Sequence, residues 1–176
     1  MKPTSLYERI LGSSFNALAP ILQNIHDTRR AKTYAGRCTV RAGENRVAKV
    51  IARVAGLPVA TAEVPVEVAI LSGDRAEQWT RTFGVRKMRS VLADRGQLLE
   101  ERLGPVVLTF ELTASPQTIV WTLKRARLAF VRLPISRLLS CAAREAVENG
   151  RYTFDVSAHV RGIGLIVHYR GWLVVA

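Results

Sequence analysis

The C-terminal part of the chain, residues 150–175, constrains the fold more than any other part of the sequence. Apolar and polar side chains alternate through residues 152–160 and again through residues 163–173. A period of two is typical of strands that bury one face. The glycine-containing break between the two runs, at Arg161-Gly162, predicts a hairpin turn. The pattern therefore predicts an antiparallel pair of strands.

The same period extends through the middle of the chain, from Pro65 to the predicted hairpin. Turn residues separate the alternating stretches at hairpin intervals, namely at 72–74, 94–96, 115–116 and 148–150. No long helical pattern lies between these stretches, which disfavours parallel strands joined by crossover helices. We therefore predict an α+β, mainly β fold. Its sheet would be an antiparallel meander of about 8–10 strands, curled into a barrel or half-barrel.

Two helical stretches are predicted in the N-terminal half. Ser5 and Glu8 have the spacing of a capping box, and apolar residues continue at helical spacing past a kink or restart at Pro20. Asn45 is the predicted N-cap of a second helix, which a Gly-Leu-Pro sequence ends. The predicted inner face of that helix consists of Val47, Val50, Ile51 and Val54. A short helical crossover is also expected at 134–139.

The length of 176 residues and the hydrophobic fraction of 48% suit one domain, 1–176, with a single core. It would comprise a helical segment at 5–27 and a β-rich body at 32–176. Cys38 and Cys141 are far apart and fall in predicted strands, which favours buried free thiols over a metal or redox site. The sequence shows neither a signal-peptide pattern nor an apolar run of about 20 residues, so we expect a cytoplasmic location.

The charge of the chain is strongly basic, at +12, and its distribution is uneven. Between Glu111 and Glu145 there is no acidic residue, and six basic residues alternate with apolar ones. Such a mixture suits an anionic membrane surface or a phosphate backbone, although genome composition also enriches arginine. We expect 128–139 to contact a membrane or the ligand entry. The residues proposed for this contact are Arg127, Phe130, Arg132 and Arg137. Nucleic acid is disfavoured as a partner, because the aromatic residues do not interleave with the basic ones.

The sequence contains none of the common cofactor or catalytic motifs. A phosphate-binding loop, a dinucleotide-binding glycine motif, HExxH, GxSxG and CxxC are all missing, so we predict no cofactor and no metal. His26, at the end of a helical stripe, is interpreted as a favourable partner of the helix dipole rather than as a metal ligand.

Two weak catalytic candidates remain. A two-residue turn at Arg161-Gly162 would place His168 opposite Asp155 and Arg170 opposite Thr153. An opposed Asp can fix the tautomer of an imidazole, although a simple cross-strand ion pair is the alternative. Glu101 is the second candidate, beside Glu100 and Arg102. Its alternative is a solvated edge or a buried pair with Arg81.

Several strings along the chain resemble a known family. They are Leu6-Tyr7-Glu8-Arg9, Trp79-Thr80-Arg81-Thr82-Phe83-Gly84, Glu101-Arg102-Leu103-Gly104-Pro105, Leu133-Pro134, Gly150-Arg151-Tyr152-Thr153-Phe154-Asp155-Val156 and Tyr169-Arg170-Gly171-Trp172-Leu173. Together they resemble the bacterial domain-of-unknown-function family 4166, which has no assigned activity. Its members are sometimes joined to a saccharopine-dehydrogenase-like domain, which implies an oxidoreductase partner as one possibility. This chain departs from the family at Gly84-Val85 and at Val160-Arg161-Gly162.

The leading functional hypothesis is a non-enzymatic binding domain for a hydrophobic or amphipathic small molecule, with peripheral membrane association. A curled sheet leaves room for one small ligand, so this hypothesis predicts an internal cavity of roughly several hundred Å³ with an apolar wall. The alternatives are a small isomerase, cyclase or hydrolase that uses a carboxylate and a histidine within that cavity, and an accessory module of an oxidoreductase.

Overall fold

A computed structural model describes residues 4–28, 31–73, 75–128 and 138–175, together with the backbone of 131–133. The helices are α1 (Leu6–Leu11), α2 (Ser13–Asn16), α3 (Pro20–His26) and α4 (Arg46–Val54). The strands are β1 (Lys32–Ala42), β2 (Thr61–Ser72), β3 (Ala76–Phe83), β4 (Arg86–Asp94), β5 (Leu98–Leu103), β6 (Val106–Ser115), β7 (Thr118–Leu128), β8 (Val131–Leu133), β9 (Leu139–Glu148), β10 (Arg151–Val160) and β11 (Gly164–Val175).

The strands form a closed antiparallel barrel. Consecutive strands pair from β1 to β7, β7 then pairs with β9, and β9, β10 and β11 follow in order. The barrel closes because β11 pairs with β1 over nine residues of each strand. Ten strands make this ring, and the short β8 lies beside β7. The prediction of a curled antiparallel meander is confirmed, with the closed barrel as the form observed.

The turn residues largely behave as predicted. The turn between β9 and β10, for example, places Asn149 at φ 51° and Gly150 at φ 71°, the left-handed pair that a two-residue hairpin requires. The hairpin between β10 and β11 differs, because three residues separate the strands and a bulge interrupts the ladder after Ala158. The predicted two-residue turn at Arg161-Gly162 is therefore wrong.

Helices α1 to α3 close one end of the barrel. The capping box of α1 is confirmed, since the Ser5 side chain accepts a hydrogen bond from the Glu8 backbone and the Glu8 side chain accepts one from the Ser5 backbone. Pro20 starts α3, which packs against β9 and β10, while α1 packs against β4 and β6. The backbone N–H of Ala19 also bonds Pro116 in the β6–β7 turn, at 2.7 Å. We call this end of the barrel the plugged end.

Helix α4 lies at the opposite end, which we call the mouth. Its last residue, Val54, lies close to Gly104 in the β5–β6 turn. The β5–β6 turn and the β6–β7 turn lie at opposite ends of β6, so α4 lies at the end of the barrel opposite to the plugged end. The helix packs on β11 through Ala48, which is fully buried. Gly43 permits this approach, because a Cβ atom there would lie 1.9 Å from the Leu165 carbonyl oxygen.

The predicted inner face of α4 needs a correction. Asn45 does cap the helix, but Val47, Val50 and Val54 are 50%, 61% and 51% exposed. The reason is that α4 rests on the rim of the barrel, so that its valines stand over an opening rather than against a filled core. None of the described helices is long and apolar enough to span a membrane. The crossover predicted at 134–139 lies mostly outside the described residues.

Candidate functional site

The barrel encloses a cavity of about 470 Å³ between the plugged end and the mouth. Alternation along each strand determines which side chains reach it, so that alternate residues of a strand form its wall. The wall is almost entirely aliphatic and aromatic. Its aromatic members include Trp79, Phe83, Phe110, Trp121, Tyr152 and Tyr169. The apolar internal cavity predicted from the sequence is thus present.

An ion pair lies in this apolar wall. Arg81 of β3 donates from Nη1 to Oε1 of Glu101 at 3.2 Å and to the hydroxyl of Ser90 at 2.8 Å. Its guanidinium also lies 4.9 Å from the centre of the Trp79 ring, within the range of a cation–π contact. Burial lowers the pKa of Arg81, but Glu101 and nearby tyrosines raise it more, so the net direction is upward. Arg81 is therefore a permanent cation whose charge Glu101 balances.

A histidine and a carboxylate form a second pair, towards the plugged end. His26, the last residue of α3, is fully buried, and its Nε2 lies 2.5 Å from Oε2 of Glu145 on β9. The imidazole stacks on the ring of Tyr7, with 3.6 Å between the ring centres. Glu145 also lines the cavity and interacts with the Tyr152 hydroxyl, whose pKa it raises. The pair thus joins the helical plug to the barrel wall.

The two tyrosines beside this pair stay protonated at any physiological pH. Burial raises the pKa of both Tyr7 and Tyr152 well above 10.0, and the charge of Glu145 is the second-largest cause of this rise. Neither phenol is therefore suited to act as a general base, because its anion is disfavoured in this environment.

A third polar contact holds Thr28, two residues beyond the end of α3. Thr28 donates its hydroxyl hydrogen to Glu77 of β3, and Trp79 donates from Nε1 to the other Glu77 oxygen at 2.9 Å. Glu77 is buried, and the two donors offset the cost of placing its carboxylate there. Together with the His26–Glu145 pair, this contact forms a polar layer between the plug and the cavity.

Three buried polar atoms near this layer have no hydrogen-bond partner within the described residues: Tyr7 Oη, His26 Nδ1 and Trp121 Nε1. The rings of Tyr7 and Trp121 are 6.2 Å apart, and Trp121 lines the cavity. An unsatisfied buried polar group costs about 1–3 kcal/mol, so a polar partner beside any of these atoms would be stabilising. The cavity is thus apolar over most of its length and polar at its plugged end.

The catalytic candidates from the sequence lie in two different places. Glu101 lines the cavity, where the alternative of a buried pair with Arg81 is observed. Asp155 and His168 lie on the outer face of the barrel and are 2.9 Å apart, from Oδ1 to Nε2. Asp155 lines an open groove on that face, of which His168 is not a lining residue. The structure brings this pair together, but outside the cavity that the enzyme hypothesis requires.

The predicted register of that pair is wrong. Asp155 lies directly opposite Arg170, and His168 lies opposite Ser157. Thr153 lies opposite Trp172 rather than Arg170. The three-residue turn and the bulge each shift the register by one residue. Because the total shift is two residues, every side chain stays on its predicted face of the sheet, and Asp155 contacts His168 diagonally rather than directly across the strands.

The residues proposed for membrane or ligand entry are described only in part. Arg127 of β7 donates to Oε2 of Glu100 at 3.3 Å on the outer face, where Arg95 and Arg102 contact the same carboxylate. Phe130 and Arg137 lie outside the described residues, and Arg132 is described only as backbone in β8. In the described part of the chain, no cluster of three or more His, Cys, Asp or Glu side chains is suited to a metal ion.

Sequence reasoning missed the inward position of Glu145 and offered that of Arg81 only as an alternative. Glu145 is in phase with Ala143, and Arg81 is in phase with Trp79 and Phe83, so both fall on the apolar side of their strands. A charged residue in the apolar phase of a strand is the signal that would have found them. No such signal exists for His26, because its partner is distant in the sequence.

Comparisons with known proteins agree with the resemblance seen in the sequence. The family model described as "Domain of unknown function (DUF4166)" matches residues 18–173. Among solved structures, the chain is similar to the one titled "Crystal Structure of Rv2717c from M. tuberculosis", with a TM-score of 0.46 and 13% identity. That match covers 90% of this chain and 99% of the other. No curated protein matches the chain.

Proposed function

The chain belongs to the DUF4166 family, and we propose that its barrel is a non-enzymatic domain that binds one hydrophobic or amphipathic small molecule. The observation that carries this proposal is the internal cavity, with its volume of about 470 Å³ and its apolar wall. Ligand sites for small molecules commonly have volumes of about 300–1,000 Å³ and mainly apolar linings with a few polar groups. Removing an apolar chain from water in such a site is favourable by about 25 cal/mol per Å² of buried surface.

The mouth is the proposed entry to this cavity. Leu128 and Leu138, at the two described ends of the segment 128–139, line the cavity and are exposed. Val50 and Val54 of α4 also combine both properties. This arrangement supports the prediction that the segment contacts a membrane or the ligand entry. Replacing Arg127, Arg132 and Arg137 with Gln should weaken binding to anionic liposomes, and unchanged binding would argue against that role.

A pair of neighbouring alanines on β9 provides the test of the cavity. Ala143 is buried and lines the cavity, whereas Ala142 is exposed on the outer face. The probe is N-phenyl-1-naphthylamine, an uncharged molecule whose fluorescence rises on entry into an apolar site. We expect one probe per chain to bind to the wild type. Ala143→Phe should weaken binding about tenfold or more by filling the cavity, and Ala142→Phe should leave it unchanged.

Circular dichroism and thermal unfolding would show that both variants remain folded. Equal probe binding by wild type and Ala143→Phe would refute the proposed site. Native mass spectrometry of the purified protein adds a second measurement, since a small molecule retained by the wild type should be lost from Ala143→Phe but kept by Ala142→Phe.

A small enzyme is the second candidate, because a carboxylate–histidine pair does reach the cavity. Glu145 lines the cavity and holds His26, although these are not the residues expected from the sequence. If this is a hydrolase site, p-nitrophenyl butyrate should be cleaved above the buffer rate. Glu145→Gln should abolish cleavage, and Glu148→Gln, on the exposed face of the same strand, should retain it. Cleavage that survives Glu145→Gln would argue against this site.

An accessory role beside an oxidoreductase stays a prediction from the family resemblance. A dehydrogenase gene beside the gene for this chain would favour it, and co-purification of the two proteins would test it.

A further inference from the structure

The charged side chains of the cavity wall set a limit on the ligand. Among the described residues that line the cavity, the charged ones are Arg81, Glu101 and Glu145. The one guanidinium is already paired with a carboxylate, and Glu145 adds a second carboxylate beside His26. The acid groups in this wall therefore outnumber its arginine, and a further buried carboxylate, Glu77, lies behind it.

An anionic ligand is poorly matched to this wall. Moving a carboxylate out of water is unfavourable unless a cation pairs with it inside the protein. Here the cation is Arg81, and a second carboxylate would compete with Glu101 for it. Repulsion from Glu101 and Glu145 adds to that cost, since like charges interact strongly in a medium of low dielectric constant.

An uncharged polar group avoids this cost and finds partners that the protein leaves open. Trp121 Nε1 is a donor without an acceptor in the described part of the chain, and the Tyr7 hydroxyl there is also unpartnered. A hydroxyl or carbonyl oxygen can accept from such a donor without bringing a charge into the cavity.

We propose that the cavity selects uncharged amphipathic molecules, such as long-chain alcohols or ketones, over fatty-acid anions. This inference rests on the proposed function and names the ligand class of the same site. The apolar chain of the ligand lies along the barrel, and its oxygen lies at the plugged end near Trp121. The Arg81–Glu101 pair is the specificity determinant, because it removes the one positive charge that a fatty-acid anion would need.

The test compares 1-dodecanol with dodecanoate at pH 7.5, titrated into protein that has been refolded from denaturant to remove retained small molecules. Calorimetry should show that the wild type binds dodecanol about tenfold or more tightly than dodecanoate. Glu101→Gln leaves Arg81 without its counter-charge, so dodecanoate affinity should rise about tenfold while dodecanol affinity changes little. Glu100→Gln is the matched control, because the adjacent carboxylate lies on the outer face and should affect neither ligand.

Tighter binding of dodecanoate than of dodecanol by the wild type would overturn the selectivity and leave the proposed function intact. An equal rise in dodecanoate affinity in Glu100→Gln would assign the effect to overall charge and would also overturn it. If neither compound binds the wild type, the proposed function itself fails. The wild-type comparison decides the question even if Glu101→Gln does not fold.

A separate observation concerns the surface of the mouth. On α4 the exposed residues Val47, Val50 and Val54 recur at helical spacing. The exposed basic residues Arg46, Lys49 and Arg53 follow the same spacing one position earlier, and no residue within α4 is acidic. None of these three basic residues forms a salt bridge with another described residue. Val85, in the β3–β4 turn at the same end, is 96% exposed.

We infer that α4 docks the mouth onto an anionic lipid surface. Exposed apolar residues beside unpaired basic ones match the interface of such a surface, because the valines enter the acyl boundary while the cations meet lipid phosphates. Docking in this orientation places the cavity opening against the bilayer, so that a hydrophobic ligand enters without crossing water.

Vesicles of phosphatidylcholine, with or without phosphatidylglycerol, test this surface by co-sedimentation. The wild type should bind the anionic vesicles only, and binding should weaken as salt is raised. A combined Val47→Ser, Lys49→Gln and Arg53→Gln variant, in which none of the changed residues lines the cavity, should bind about tenfold more weakly. Leu71→Ser with Arg75→Gln, two exposed residues at the plugged end, is the matched control and should bind normally.

Wild-type binding to anionic vesicles that the α4 variant fully retains would overturn this assignment. The same holds for a wild type that does not bind anionic vesicles at low salt. Because Val47, Lys49 and Arg53 do not line the cavity, probe binding inside the cavity can be measured on the same variant to separate the two proposals.

Discussion

The hydroxyl groups of Tyr7 and Tyr152 should contribute to stability with opposite signs. Both rings are buried beside the His26–Glu145 pair, but the Tyr152 hydroxyl interacts with Glu145, whereas the Tyr7 hydroxyl has no hydrogen-bond partner within the described residues. Replacing each tyrosine with phenylalanine removes only the hydroxyl. Tyr7→Phe also keeps the ring that stacks on His26 at 3.6 Å. The two variants therefore isolate the effect of hydrogen bonding.

The expected sizes follow from these contacts. An unsatisfied buried polar group costs about 1–3 kcal/mol, so Tyr7→Phe should raise the free energy of unfolding by at least about 1 kcal/mol. A net hydrogen bond contributes about 0.5–1.5 kcal/mol, so Tyr152→Phe, which removes the group that interacts with Glu145, should lower that free energy by about this amount. At 176 residues, 1 kcal/mol corresponds to about 2–4 °C in Tm. Tyr7→Phe should thus raise Tm by at least about 2–4 °C, and Tyr152→Phe should lower it by about 1–6 °C.

Thermal unfolding followed by circular dichroism measures both changes, on protein refolded from denaturant to remove retained molecules. Guanidinium titration of the same variants gives the free energies directly. A Tyr7→Phe variant that is less stable than the wild type would refute the reasoning, because it would mean that the hydroxyl forms a favourable bond in the folded protein.

Three further predictions concern other parts of the barrel. Burial raises the pKa of Cys38 to about 11 and that of Cys141 to about 12. At pH 8 both thiols should therefore react with Ellman's reagent far more slowly in the folded than in the unfolded protein. Equal reaction rates would contradict this. Burial raises the pKa of Glu100, but the hydrogen bonds from Arg95 and Arg102 lower it more, so the net direction is downward. The ionised carboxylate therefore stabilises the fold above pH 4.5, and this contribution is lost as the pH falls through the lowered pKa. Glu100→Gln should therefore flatten the acid limb of the stability curve, and an unchanged limb would contradict this. Gly43→Ala should lower Tm, because its Cβ would lie 1.9 Å from the Leu165 carbonyl oxygen, and an unchanged Tm would show that α4 shifts without cost.

Alternation in the sequence predicts the strands well but does not determine how they pair at a distance. The alternation identifies β10 and β11 because every second residue of each strand is apolar. The contacts that close the barrel, β1 with β11 and β6 with β7, have different causes. The β6–β7 pairing follows from a local turn, whereas the β1–β11 pairing joins the first strand of the sheet to the last. No local pattern of residues encodes that second pairing, which is why a half-barrel remained open as an alternative.

The apolar face of α4 shows a different limit of sequence reasoning. Helical spacing identifies the stripe of Val47, Val50 and Val54 but not what the stripe faces. A core and the rim of an opening produce the same pattern, since both are apolar. The basic residues of α4, interleaved with the stripe, are the local sign that this helix lies at a surface.

The candidate site depends on residues whose meaning emerges only when strands are combined. Arg81, Glu101 and Glu145 each occupy an inward position of a different strand, and the barrel brings them to one cavity. Their inward phase can be read from each strand separately. Their pairing cannot, because it depends on the order of strands around the barrel and on the position of α3 across its end.

The orientation of a bound molecule follows from the placement of polar groups along the cavity. Trp79 and Trp121 both lie towards the plugged end. The centre of the Trp79 ring is 6.1 Å from that of His26, and the centre of the Trp121 ring is 6.2 Å from that of Tyr7. Trp172, in contrast, stacks under Arg151 outside the cavity. A long-chain alcohol that enters hydroxyl-first should place its polar end beside the two inner tryptophans. Bromine quenches indole fluorescence only at close range, so dodecanol brominated next to the hydroxyl should quench more than dodecanol brominated at the far end of the chain. A Trp172→Phe background removes the outer emission, and stronger quenching by the far-end bromine would mean that the molecule binds in the reverse orientation.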